Sequence, residues 1–107
     1  MEIKFVKEYL KHLYEGNANP YKEYKSNPQL VKQYINTINK LKAITKIEQL
    51  YQLKSLHYEK KEGNLKGVSA VYVNMQYRIL FTEVASTSGD PTIDIIEIEE
   101  LSKHYEN

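Results

Sequence analysis

Near residue 53 the apolar residues of this chain change period, and that change dictates the architecture. Before it, Val6, Tyr9, Leu10, Leu13 and Tyr14 recur at three- and four-residue spacing, the pattern of an amphipathic helix that Gly16 ends. Residues 16–27 read as a loop. Asn27 followed by Pro28 reads as an N-cap with proline at the first helical position, opening a longer helix whose apolar stripe is Leu30, Val31, Tyr34, Ile35, Ile38 and Leu41. Thr45-Lys46-Ile47-Glu48 matches a capping box, which predicts a short third helix carrying Ile47, Leu50 and Tyr51 inward. After residue 53 the period becomes two. Residues 54–58, 68–73 and 77–83 read as strands, the last two joined as a hairpin across Asn74-Met75-Gln76. Ser88-Gly89-Asp90-Pro91 reads as a turn, followed by a strand over 92–99 whose isoleucines switch face, so a bulge or burial on both sides is expected. Helices first and antiparallel strands after them predict an α+β domain with the helices on one face of a small twisted antiparallel sheet.

At 107 residues the chain is expected to form a single domain, residues 1–107, that folds without metal or disulfide staples. It has no cysteine, which excludes a disulfide framework, a thiolate nucleophile and a Cys-type zinc site. Charges interrupt the N-terminal segment every few residues, so no signal peptide or membrane span is read there, and a cytoplasmic protein is expected. The net charge of +1 is uninformative, but its distribution is not. Residues 1–53 hold nine lysines against five glutamates; residues 54–107 hold five lysines and Arg78 against nine acids. Such asymmetry suits either a face toward nucleic acid or a solvated lysine-rich helix.

Chemistry is concentrated in the second half. Glu59 ends the first strand. Arg78 is the only arginine and sits inside a strand, and His104-Tyr105 lies two residues from the C-terminus. Each alone has a plain structural reading: a solvated glutamate, an arginine paired with an acid such as Glu83 or Glu97, a frayed tail. Together they are what metal-free RNA cleavage needs. A base takes the 2′-hydroxyl proton, a cation holds the phosphate, and an acid protonates the leaving 5′-oxygen. Glu59 suits the base and Arg78 a bidentate phosphate clamp. His104 suits the acid, and Tyr105 orientation of the phosphate or stacking on a base. These positions are expected to be partly exposed in a cleft, with Arg78 on the sheet face opposite the helices, because Tyr77, Ile79 and Phe81 share the other parity. Lys54, Lys60, Lys61 and Lys66 are candidates for flanking phosphates. A metal site from His12, His57 and His104 lacks ligand-like spacing, so neither metal nor cofactor is expected.

Leu53-Lys54-Ser55-Leu56, Glu59, Gly63-Asn64-Leu65-Lys66-Gly67 and Val71-Tyr72-Val73-Asn74-Met75-Gln76-Tyr77-Arg78-Ile79, with Leu101-Ser102-Lys103-His104-Tyr105 at the end, resemble the RelE/ParE superfamily of toxins, in its HigB/YoeB-like branch. Glu59, Gly67 and Arg78 keep the family's mutual spacing and fall on its general base, loop glycine and phosphate-binding arginine. His104 and Tyr105 fall on its terminal catalytic pair, and His57 falls where HigB-like members use a histidine. The resemblance implies a RelE-like ribonuclease fold and a toxin of a type II toxin–antitoxin system that cleaves messenger RNA at the ribosome. It also implies an antitoxin partner of helix-turn-helix, HigA-like type. The alternative within the superfamily is a ParE-like toxin that inhibits a topoisomerase by contact.

Overall fold

The computed structural model describes residues 1–87 and 89–103. The chain runs β1 (Glu2–Phe5), α1 (Glu8–Tyr14), α2 (Lys22–Lys25), α3 (Pro28–Ala43), β2 (Glu59–Lys60), β3 (Ser69–Tyr72), β4 (Tyr77–Val84) and β5 (Ile95–Lys103), with 3-10 turns at Ile47–Tyr51, Lys54–Leu56 and Gly63–Leu65. The strands form one sheet in the order β1-β5-β4-β3-β2, antiparallel except for the parallel pair β1–β5. The α+β class holds, with a mixed sheet in place of a purely antiparallel one.

The helices cover one face because their apolar stripes and the odd-numbered residues of β4 meet. Leu10, Leu13, Leu30, Tyr34, Ile38 and Leu41 pack with Ile79, Phe81, Ile96 and Ile98 in one core, each at most 1% exposed. Tyr34 is fully buried, so its hydroxyl needs a partner; it donates to the Leu10 carbonyl at 2.8 Å and ties α3 to α1. Asn27 caps α3 as the Asn-Pro pair predicts, accepting from the Leu30 amide. No helix of the described residues is long and apolar enough to cross a membrane.

Five local expectations are corrected. The stretch read as a loop over 16–27 contains the one-turn helix α2 (Lys22–Lys25), which buries Tyr24. Residues 54–58 are not a strand: Lys54–Leu56 make a 3-10 turn, and His57 turns the chain with φ +46 before the two-residue β2. The capping-box helix is a 3-10 turn whose reach-back residue is Gln49; its Oε1 accepts from the Thr45 and Lys46 amides, and Tyr51 is 59% exposed. Val6 lies outside α1 and is half exposed. The strand expected over 92–99 begins at Ile95, and the β4–β5 pairing slips at Leu80/Phe81, opposite Glu99, past the isoleucine parity break. β1 was not expected, since four residues carrying two charges make a weak period-two signal. Its pairing with β5, and the Met1 ammonium bonded to the Lys42 and Ile44 carbonyls, hold it in place.

Candidate functional site

The open face of the sheet collects the even-numbered residues of β3 and β4. Tyr72, Arg78 and Ser102 stand in one cross-strand row, and Ala70, Leu80 and Glu100 in the next. Glu59 extends the second row from the edge, paired with Ala70. Arg78 therefore lies opposite Tyr77, Ile79 and Phe81, as parity predicts, and not beneath the helices.

The hairpin turn builds a seat for Arg78. The Asn74 side-chain oxygen accepts from the Gln76 and Tyr77 amides, each at 2.8 Å, an Asx-type turn that fixes the reversal. Its amide nitrogen donates to Gln33 Oε1 at 2.8 Å and fastens the turn to α3. With the turn so held, Arg78 Nη1 donates to the carbonyls of Asn74 and Tyr77, at 2.8 and 3.1 Å. The guanidinium carbon lies 3.4 Å from the centre of the Tyr72 ring, a cation–π contact. The His57 ring stacks on the same tyrosine at 4.2 Å. Two groups that close to one ring centre collide on a single face, so His57, Tyr72 and Arg78 form a three-layer stack.

Arg78 is only 7% exposed, more buried than the partly open position expected of it. Neither acid considered as its partner reaches it. Glu83 is engaged by Tyr58, Ser69 and Lys60, and Glu97 by Thr82. Among the described residues Arg78 has no ion pair, so carbonyl dipoles and a ring face carry its charge. A buried cation compensated only by dipoles favours an incoming anion, and a guanidinium matches a phosphate two-pronged.

Glu59 is exposed, and Lys61 Nζ holds its carboxylate at 2.7 Å. Strand spacing puts its backbone about 10 Å across the sheet from Arg78 and about 7 Å along it, a gap that two side chains and one phosphodiester fill. Lys54 is exposed, three residues before His57. Lys60 shares the Ser69–Phe81 row on the opposite face and approaches Glu83 at 3.9 Å. Lys66 lies on the loop from β2 to β3 with Gly67, whose φ of +95 demands glycine. The structure thus gathers His57, Glu59, Lys61 and Arg78 on one face and leaves Lys60 and Lys66 at the sheet edge. His104 and Tyr105 lie outside the described residues; β5 brings Ser102 opposite Arg78 and Lys103 opposite Tyr77. Of the histidines weighed for a metal, His12 Nδ1 bonds the Tyr21 hydroxyl at 2.6 Å.

Two parts of the site were not singled out from sequence: Tyr72, which walls the guanidinium, and Asn74, which builds its seat. Both were recoverable, because a turn closed over 73–77 sets residue 72 opposite 78.

No protein-family model and no curated protein matches the chain. Solved structures do. A YoeB/ParE toxin from Agrobacterium tumefaciens superposes with a TM-score of 0.54 at 16% identity, covering 98% of this chain and 100% of that one. The fold is that of the YoeB/ParE toxins. A YoeB dimer from Staphylococcus aureus matches with a TM-score of 0.51 at 20% identity over 98% of both chains.

Proposed function

We propose that this chain is the toxin of a type II toxin–antitoxin pair and acts as a metal-independent endoribonuclease on messenger RNA bound to the ribosome. The observation that carries the proposal is Arg78, a buried guanidinium on the open face with no carboxylate partner among the described residues. The YoeB/ParE fold and the superfamily resemblance support the toxin assignment.

In this reading the scissile phosphate sits on Arg78, which meets the charge that builds in the transition state. Glu59 takes the proton of the 2′-hydroxyl, whose oxygen attacks phosphorus. Lys61 holds the Glu59 carboxylate in position. The bond from phosphorus to the 5′-oxygen breaks, and that oxygen takes a proton from His104, with Tyr105 orienting the phosphate. His57, one ring away from Arg78, is a second acid–base group available to the same phosphate. Lys54, Lys60 and Lys66 serve flanking phosphates. The chain works in the cytoplasm without a cofactor, and a HigA-like helix-turn-helix antitoxin neutralises it.

The test is to incubate purified protein with transcripts, with and without ribosomes, and to analyse the new ends. A 2′,3′-cyclic phosphate or its 3′-phosphate product, a free 5′-hydroxyl and indifference to EDTA are expected. A 5′-phosphate end or loss of cleavage in EDTA overturns the mechanism. Growth arrest without RNA cleavage, retained in Glu59→Gln, moves the assignment to ParE-like inhibition of a topoisomerase.

A further inference from the structure

Outside the Arg78 face, the described residues form a cleft of about 700 Å³ at the β2 edge of the sheet. Its walls are Val68 and Ile93, three lysines (Lys60, Lys61 and Lys66) and the acid Glu62 lie around it, and Ser69 and Glu83 contribute polar groups. Glu83 has no part in the chemistry above, yet its side chain is only 12% exposed. One of its oxygens, Oε2, accepts from both the Tyr58 hydroxyl and the Ser69 hydroxyl, the latter at 2.6 Å. The other, Oε1, has only the distant approach of Lys60 Nζ at 3.9 Å. A carboxylate drawn this far from water, with one oxygen so lightly used, can still accept hydrogen bonds from an occupant of the cleft.

Apolar walls, a carboxylate and surrounding lysines are complementary to a nucleotide: base between Val68 and Ile93, donor edge toward Glu83, phosphate toward the lysines. Lys66 has no ion pair among the described residues and can give its charge to that phosphate. The bases differ in what they offer a carboxylate. Guanine presents N1–H and N2–H side by side, close enough for Oε1 alone to accept both while Oε2 stays with Tyr58 and Ser69. Adenine and cytosine present one amino group beside a ring acceptor that the carboxylate repels, and uracil flanks its single N–H with two carbonyls. Splayed-out bases read on this edge are the usual basis of sequence-specific recognition of single-stranded RNA.

We propose that this cleft is a guanine-selective nucleobase pocket with Glu83 as its specificity-determining residue. As a substrate pocket it rests on the ribonuclease reading, and it takes a base that lies away from the scissile phosphate, since Glu83 lies five residues along β4 from Arg78 and on the opposite parity, about 17 Å away. Lys61 joins the two sites, because it holds Glu59 and also lines the cleft.

The experiment titrates the full chain with the 3′-monophosphates of guanosine, adenosine, cytidine and uridine, followed by NMR. The guanosine nucleotide should bind at least about tenfold tighter than the others, the discrimination of one good two-donor contact. Glu83→Gln should erase that preference. Lys66→Ala, at an exposed loop position, should weaken all four nucleotides alike and leave the preference intact, as a phosphate contact does. Equal binding of the four, no binding of any, or a preference unchanged in a folded Glu83→Gln protein overturns the proposal. Guanosine preference in a protein that cleaves no RNA sinks the ribonuclease reading and leaves the pocket. Cleavage without guanosine preference does the reverse.

Discussion

Replacing Arg78 by methionine should leave the fold almost as stable and remove RNA cleavage. The substitution deletes two hydrogen bonds from Nη1 to carbonyls, at 2.8 and 3.1 Å, and a cation–π contact at 3.4 Å. Hydrogen bonds from a charged donor contribute about 1.5–3 kcal/mol each, and a desolvated cation–π contact about 2 kcal/mol. Against that stands the cost of holding a guanidinium at 7% exposure with no carboxylate partner among the described residues, several kcal/mol for an ion drawn from water. Methionine restores an apolar contact to the Tyr72 ring of about 0.3–1.5 kcal/mol. The opposing effects nearly cancel, and the net change should lie within about 2 kcal/mol of zero, a fraction of the 5–15 kcal/mol typical of a domain. Urea unfolding followed by circular dichroism measures it: the midpoint should move by no more than about 2 M, given slopes of about 1–3 kcal/mol per molar. Cleavage in the same preparation should fall by about 10²- to 10³-fold, the cost of losing one preorganised donor to a developing oxyanion. A loss above about 4 kcal/mol would make Arg78 part of the scaffold, since breaking an indispensable buried charge costs that much. Near-normal cleavage by a folded Arg78→Met protein would remove the phosphate clamp altogether.

Other outcomes follow from the same contacts. Glu59→Gln should slow cleavage by about 10²- to 10⁴-fold with an unchanged melting temperature, because the residue is exposed and its only described partner is Lys61; a normal rate removes it as the base. Phe81→Ala should cost about 3–5 kcal/mol by calorimetry or urea unfolding, since the ring is fully buried and stacks on Tyr58; less than about 1 kcal/mol would mean the core relaxes around the gap. Tyr34→Phe should cost about 1 kcal/mol for one buried hydrogen bond to Leu10, and a neutral result would show that bond to be dispensable. Alkaline pH should destabilise the protein from about pH 10 upward, where unfolded tyrosine ionises. Burial raises Tyr9, Tyr24, Tyr34 and Tyr58 above that value, with the Glu83 carboxylate adding to Tyr58, so the folded chain keeps protons that the unfolded chain releases. Stability is therefore fully present below pH 10 and falls by about 1.4 kcal/mol per unit for each such tyrosine above it; a flat urea midpoint from pH 9 to 11 contradicts the burial.

The sequence pattern was most legible where a local signal and a tertiary demand agreed. Asn27-Pro28 opens α3 because proline suits the first helical position and the asparagine side chain accepts from an amide left unpaired there. The parity of Tyr77, Ile79 and Phe81 located Arg78 on the open face because a strand allows only two facings. Legibility failed where a tertiary constraint overrode the pattern. Residues 54–58 alternate like a strand, yet Leu56 must enter the core while His57 turns back over Tyr72, and the left-handed backbone of His57 ends any ladder. β1 was missed because its stability comes from a parallel partner more than ninety residues away, which no short window contains.

The burial of Arg78 was hidden for a related reason. A lone arginine in a strand suggests an acid, because charge pairing is the commonest way to keep a cation inside. Here an Asx turn aims two carbonyls at Nη1 while Tyr72 and His57 close the flank, and none of these partners is charged in the sense a sequence search looks for. That choice has a functional consequence. A carboxylate in the same seat would satisfy the guanidinium and repel a phosphate, whereas dipoles and a ring hold the side chain and leave its charge uncancelled. The energetic weakness of the seat and its affinity for anions thus have one cause. Introducing an acid there, as in Tyr72→Glu, should anchor Arg78 more firmly and weaken RNA binding in the same protein.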